Sequence, residues 1–132
     1  MESIRILILE DDESTGVLLS DFLRGIDGLE VLGVARDGMS GLARIYAETP
    51  DLLLLDLVMP KMSGLEVLRA LREKPAGGEM KILVLSGVTD DATVQYALSL
   101  GACHYIMTPA RHSALLDWIQ MASRPGPQEE SG

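Results

Sequence analysis

Residues 51 to 60 read DLLLLDLVMP. Four leucines run straight into Asp56, and Leu57, Val58 and Met59 follow it. A near-continuous apolar run of this kind is the pattern of a strand buried on both faces. The carboxylate at its end is the anomaly. An unpaired charge in apolar surroundings is costly, so such groups are paired, metal-bound or neutralised. Asp56 therefore either marks a strand end that turns to water or belongs to a site.

Working outward, four more short runs rich in Ile, Leu and Val appear: Ile4 to Leu9, Leu29 to Ala35, Ile82 to Leu85, and a weaker one from His104 to Met107. Helical periodicity fills the gaps. The expected stripes are Val17, Leu18, Phe22 and Leu23; then Met39, Leu42, Ile45 and Tyr46; then Leu65, Val67, Leu68 and Leu71; then Val94, Ala97 and Leu98; and finally Leu115, Ile119 and Ala122. Ser63-Gly64-Leu65-Glu66 has capping-box spacing and starts the third helix, while Pro75-Ala76-Gly77-Gly78 stops it. Gly101 ends the fourth. Strand and helix thus alternate five times, which predicts an α/β fold with a parallel sheet covered on both sides. Right-handed crossovers restrict it to a few doubly wound forms.

The chain of 132 residues is read as one domain, residues 1–123, followed by a tail from Arg124. That tail, RPGPQEESG, has nothing apolar to bury and is expected to be disordered or the stub of a linker. No apolar run approaches the roughly 18 residues that span a bilayer. The start, MESIRILILE, has no basic region and does not read as a signal peptide. The single cysteine, Cys103, permits no internal disulfide and suits a cytoplasmic protein. With two histidines beside it, a zinc site of the usual ligand types is not expected. The net charge of −9, from 11 basic and 20 acidic residues, repels nucleic acid and anionic membrane surfaces alike.

In open parallel sheets, ligands bind beyond the carboxyl ends of the strands, at the switch point. The first strand ends in Glu10-Asp11-Asp12, the third in Asp56, the fourth in Ser86-Gly87 and the fifth in Thr108-Pro109. In the flavodoxin-like order 2-1-3-4-5 the first and third strands are central neighbours. That brings Asp11, Asp12 and Asp56 to one rim, where three carboxylates repel one another and a hard divalent cation relieves the repulsion. Magnesium, with its preference for carboxylate, water and phosphate oxygens, is the natural candidate. Ser86, one strand away, can donate a hydrogen bond to a bound oxyanion. Taken singly, each element has a plainer explanation, since acidic pairs favour helix N-termini and Ser-Gly is a common turn.

Together these features resemble the receiver domain of two-component response regulators, of the chemotaxis-regulator-like type. The matching stretches are ILILEDDE, ARDGMSGLARI, DLLLLDLVMPKMSGLEVLRALR, KILVLSG and GACHYIMTP, from about Ile4 to Ser123. The resemblance implies a chain that takes a phosphoryl group from a histidine kinase or phosphotransfer protein onto its own aspartate. It is not a turnover enzyme, although it catalyses its own phosphotransfer and dephosphorylation. Asp56 aligns with the phosphoacceptor. Asp11, Asp12, Asp56 and the backbone carbonyl of Val58 align with the magnesium ligands, Ser86 with the mobile hydroxyl, and Tyr105 with the switch aromatic. The fourth helix, fifth strand and fifth helix, here Asp90 to Leu100 and Arg111 to Ser123, form the family's usual output face for a downstream protein or a homodimer.

One position departs from the family. Receivers carry a lysine immediately before the proline that follows the fifth strand, and here that residue is Thr108. Threonine has neither the charge nor the reach. Only Lys61, Lys74 and Lys81 occur in the chain. The alternative reading is therefore a degenerate receiver, a protein-interaction module that works without phosphorylation. An aspartate-nucleophile phosphatase is disfavoured, because Val58 stands where such enzymes carry a second acid. The Lys-Pro bond of the family is typically cis, and the same is expected of Thr108-Pro109.

Overall fold

The structure is a computed structural model and describes residues 3–123. The tail expected from Arg124 onward lies outside the described residues. Strands β1 (Ile4–Leu9), β2 (Leu29–Ala35), β3 (Leu52–Leu55), β4 (Lys81–Ser86) and β5 (His104–Met107) alternate with helices α1 (Glu13–Arg24), α2 (Gly38–Glu48), α3 (Gly64–Glu73), α4 (Asp91–Ser99) and α5 (His112–Ser123). All strand pairs are parallel, in the order β2-β1-β3-β4-β5, as expected.

The continuous apolar runs are explained by two cores, one on each face of the sheet. Leu7, Leu9, Leu53, Leu55, Ile82 and Val84 pack with Ile45 of α2, Val67, Leu68 and Leu71 of α3, and Ala97 of α4. Their strand neighbours Ile6, Ile8, Leu52, Leu54 and Leu83 pack with Leu19 and Leu23 of α1 and Leu115 and Ile119 of α5. Successive strand residues point to opposite faces, so a strand between two cores must be apolar throughout.

The helix faces differ in places from the expected stripes. In α1, Val17 and Leu18 are exposed, and the buried face is Gly16, Leu19, Ser20 and Leu23. The reason is Gly16: its lack of a side chain lets α1 approach β2, where an added Cβ would stand 3.1 Å from Val34 Cγ1. Met39 and Leu98 are likewise exposed. The capping box at Ser63 and Glu66 is present in both directions and begins α3 where expected. The Thr108–Pro109 bond is cis, as expected.

One glycine fixes the rim where the chemistry sits. The N–H of Gly64 donates to the carbonyl of Leu57 at 2.9 Å. A Cβ on Gly64 would come within 2.5 Å of the Asp56 carbonyl oxygen and 2.6 Å of Leu57 Cα. Backbone on both sides leaves no flexible group to yield, so α3 must start on a residue without a side chain. Gly64→Ala is expected to cost about 1–3 kcal/mol of unfolding free energy. Gly25→Ala, where the nearest atom outside the immediate chain would be 3.5 Å away, stays within about 0.5 kcal/mol of the parent. Urea unfolding of both variants measures the contrast.

Candidate functional site

The register of the two central strands builds the site. Leu9 of β1 pairs with Leu55 of β3, and the ladder runs one step further, with the Asp56 N–H donating to the Leu9 carbonyl at 2.9 Å. The residues that leave these strands side by side are Glu10 and Asp56. Each offers a carboxylate oxygen that, with one from Asp11, forms a group lying within 4.8 Å of one another, and all three residues are half-buried.

The expected trio was Asp11, Asp12 and Asp56; among the described residues the acids whose carboxylate oxygens converge are Glu10, Asp11 and Asp56. Asp12 is the N-cap of α1. Its Oδ2 accepts from the Thr15 N–H at 2.8 Å and from the Thr15 hydroxyl at 2.6 Å, and its own N–H donates to Glu10 Oε2 at 3.1 Å. The Asp12 carboxylate is thus committed to the first turn of α1, although the residue still lines the same cavity as the three converging acids. The signal was present in the sequence. Asp12 and Thr15 have the spacing of a helix cap and its third residue, which starts α1 after Asp12 and leaves Glu10 as the first residue beyond β1.

Burial and crowding mark the electrostatics. Desolvation pushes the Glu10 carboxyl up to about 7, helped by the charge of Asp56 and opposed by the Asp12 N–H. Asp56 is also raised, first by desolvation and then by Asp11; the Val58 N–H, 3.2 Å from its Oδ1, and a hydrogen bond from Glu10 hold it down. Asp12 is held low, chiefly by the Thr15 hydroxyl and N–H and secondarily by Arg36. Glu10 and Asp56 thus share a hydrogen bond that favours the proton on Glu10 and the charge on Asp56. Three oxygen donors on a strained rim suit a hard divalent ion.

Of the other expected residues, Val58 and Thr108 line one cavity with these acids, whereas Ser86 and Tyr105 do not line it and meet instead at Val88. Ser86 ends β4 with only 1% of its surface exposed, and its Oγ accepts from the Val88 N–H at 3.1 Å. Tyr105, half-buried on β5, donates its hydroxyl to the Val88 carbonyl at 2.6 Å. Ser86 and Tyr105 thus hold opposite ends of one residue in the β4–α4 loop. Val58, 61% exposed, and Thr108 both line a cavity of about 610 Å³ that also takes in Glu10, Asp11, Asp12 and Asp56. The Thr108 N–H continues the sheet, donating to the Ser86 carbonyl at 3.0 Å. No lysine or arginine among the described residues lines the cavity, and the charge of Lys61 acts on Asp37.

Comparison with known proteins agrees with this geometry. A family model described as the response regulator receiver domain matches residues 6–120. The transcriptional regulatory protein LiaR of Bacillus subtilis is 33% identical over 128 residues, 97% of this chain and 60% of that protein. A protein-glutamate methylesterase/protein-glutamine glutaminase of Desulfotalea psychrophila is 38% identical over 122 residues, 88% of this chain and 33% of that protein. The chain therefore spans between a third and three fifths of the length of these relatives. Among solved structures, the response regulator domain of Thermotoga maritima CheB superposes with a TM-score of 0.84 at 25% identity, covering 96% of this chain and all of that one. A CheY-like receiver domain protein from Methanospirillum hungatei gives 0.82 at 32% identity, covering 91% and 93%. With its strand order, its acid-lined rim and a family match over nearly its whole described length, the chain belongs to the response regulator receiver domain family.

Proposed function

We propose that this chain is a phosphoryl-accepting switch of two-component signal transduction, with Asp56 as the acceptor and a histidine kinase or phosphotransfer protein as the donor. The observation that carries the reading is the convergence of Glu10, Asp11 and Asp56 within 4.8 Å. The same convergence weighs against the phosphorylation-independent module suggested by Thr108, since such a module has no use for three crowded acids. Glu10, Asp11, Asp56 and the Val58 carbonyl are the proposed magnesium ligands, with Glu10 in the place expected of Asp12. Bound there, magnesium supplies positive charge to the carboxylates and to a phosphoryl oxygen.

In the transfer itself, an Asp56 oxygen attacks phosphorus, the P–N bond of the donor breaks, and its electron pair stays on the imidazole nitrogen. Catalysis of this kind is mostly positioning, and Asp56 is positioned by its bond to Leu9 and by Gly64 behind it. The acyl phosphate adds about −1.5 to −2 charge to the rim. Ser86 turns its hydroxyl toward the new oxygens and gives up the Val88 N–H. Tyr105, held by the carbonyl of that same residue, senses the shift in the loop. The readout face is formed by α4, β5 and α5, where Tyr96, Met107 and Met121 are exposed; a downstream protein or a second copy docks there. No helix among the described residues is long and apolar enough to cross a membrane, which fits a cytoplasmic role.

Incubation with phosphoramidate and magnesium is expected to add one phosphoryl group, lost completely in Asp56→Asn; a variant that labels as well as the parent contradicts the assignment. The division of labour between the neighbouring acids is tested by calorimetric magnesium titration. Glu10→Gln should weaken binding about tenfold or more, whereas Asp12→Ala should lower the melting temperature and leave the affinity within about threefold.

A pH dependence also follows. A carboxyl whose folded pKa is raised binds more protons folded than unfolded, so its contribution is present below the unfolded value and lost as pH rises through the folded one. For Glu10 that window runs from 4.5 to about 7. The metal-free protein should therefore melt at a higher temperature at the acid end of this window than at its neutral end. Magnesium should stabilise it most at the neutral end, and equal magnesium stabilisation at both ends contradicts the coupling.

A further inference from the structure

The wall of the phosphoacceptor cavity carries Glu10, Asp11, Asp12 and Asp56 and, among the described residues, not one lysine or arginine. The Arg36 guanidinium donates to the Asp11 carbonyl at 3.2 Å and its charge acts on Asp12, but Arg36 does not line the cavity. His112, the only basic residue on the wall, packs its ring on Phe22 with centroids 4.6 Å apart. At the mouth, the Thr108 hydroxyl oxygen lies beside Gly87, at 3.7 Å from where a Cβ would stand.

A phosphoryl donor has to release a leaving group through this mouth, and its charge decides how easily. We propose that Thr108 makes the site selective for N-phosphorylated donors, whose leaving group departs neutral, and discriminates against acyl phosphates, whose leaving group departs as an anion. This rests on Asp56 being the acceptor. With phosphoramidate, the Asp56 oxygen bonds to phosphorus, the P–N bond breaks with its electron pair on nitrogen, and ammonia leaves uncharged from the protonated donor. With acetyl phosphate, the P–O bond breaks and acetate leaves as an anion along a wall that carries acidic side chains and, among the described residues, no lysine or arginine. The dianionic donor is also repelled on approach, within a chain of net charge −9. The consequence is insulation: the switch answers a phosphorylated protein donor and ignores small acyl phosphates around it.

The test compares labelling rates with phosphoramidate and acetyl phosphate at matched concentration and magnesium, in the parent and in Thr108→Lys. Phosphoramidate should be faster by about tenfold or more in the parent, and Thr108→Lys should shrink the ratio about tenfold by accelerating acetyl phosphate. Thr108 is exposed, so the lysine has room. Two further readouts stand apart from that comparison. Beryllofluoride, a mimic of the bound phosphoryl group, should bind Thr108→Lys about tenfold more tightly by calorimetry. In the parent alone, raising sodium chloride should speed acetyl phosphate labelling more than phosphoramidate labelling. Equal rates with the two donors, or a ratio unchanged by the lysine, overturn the selectivity while leaving Asp56 as acceptor. Labelling of Asp56→Asn by both donors overturns the acceptor assignment and the selectivity with it.

Discussion

Glu10, Asp11 and Asp56 are crowded onto the carboxyl rim of two adjacent parallel strands, and most of the site's behaviour follows from the repulsion this creates. Two unit charges about 4 Å apart near a protein surface repel by roughly 4 kcal/mol. The rim has few ways to relieve this. In the bare protein a proton stays on Glu10 well above the usual carboxylate range. In the proposed function a divalent ion would take its place, and its positive charge would help to hold the phosphoryl group. The acids are the feature that makes the rim unstable alone and receptive when filled.

The fold exists, in this sense, to keep that crowding from relaxing. Asp56 cannot retreat, because its N–H closes the sheet ladder onto Leu9 and Gly64 presses on its carbonyl from the α3 side. Glu10 cannot retreat, because its N–H donates to the Ala35 carbonyl of β2 at 2.9 Å while Asp12 anchors the next turn as a helix cap. Two cores clamp the strands from both faces. The β4–α4 loop is tied to the sheet at one residue, Val88, which is shared by the Ser86 and Tyr105 hydroxyls.

Much of this was legible in the sequence because burial on both faces leaves a plain trace. Leu52 to Leu55 could be read as a central strand, and the capping box at Ser63 gave the start of α3 to the residue. The identity of the acids was harder. Asp11 and Asp12 differ from Glu10 and Asp11 by one position, and only the strand register and the competing cap at Asp12 separate them; the Thr15 spacing carried that information and is easily passed over. Helix faces failed for a related reason. Val17 and Leu18 are apolar and look like core, but Gly16 allows so close an approach to Val34 that the helix turns its small side inward. The link through Val88 was not legible at all, because it depends on backbone groups that any residue supplies.

The proposed switch depends on which carboxylates would share a divalent ion. The most direct measurement is a crystal grown with manganese in place of magnesium, with the metal located by its anomalous scattering. The predicted result is a single peak bound by oxygens of Glu10, Asp11 and Asp56 at about 2.0–2.2 Å, with Asp12 still capping α1. A peak coordinated by the Asp12 carboxylate, or none near Asp56 at saturating metal, would contradict it.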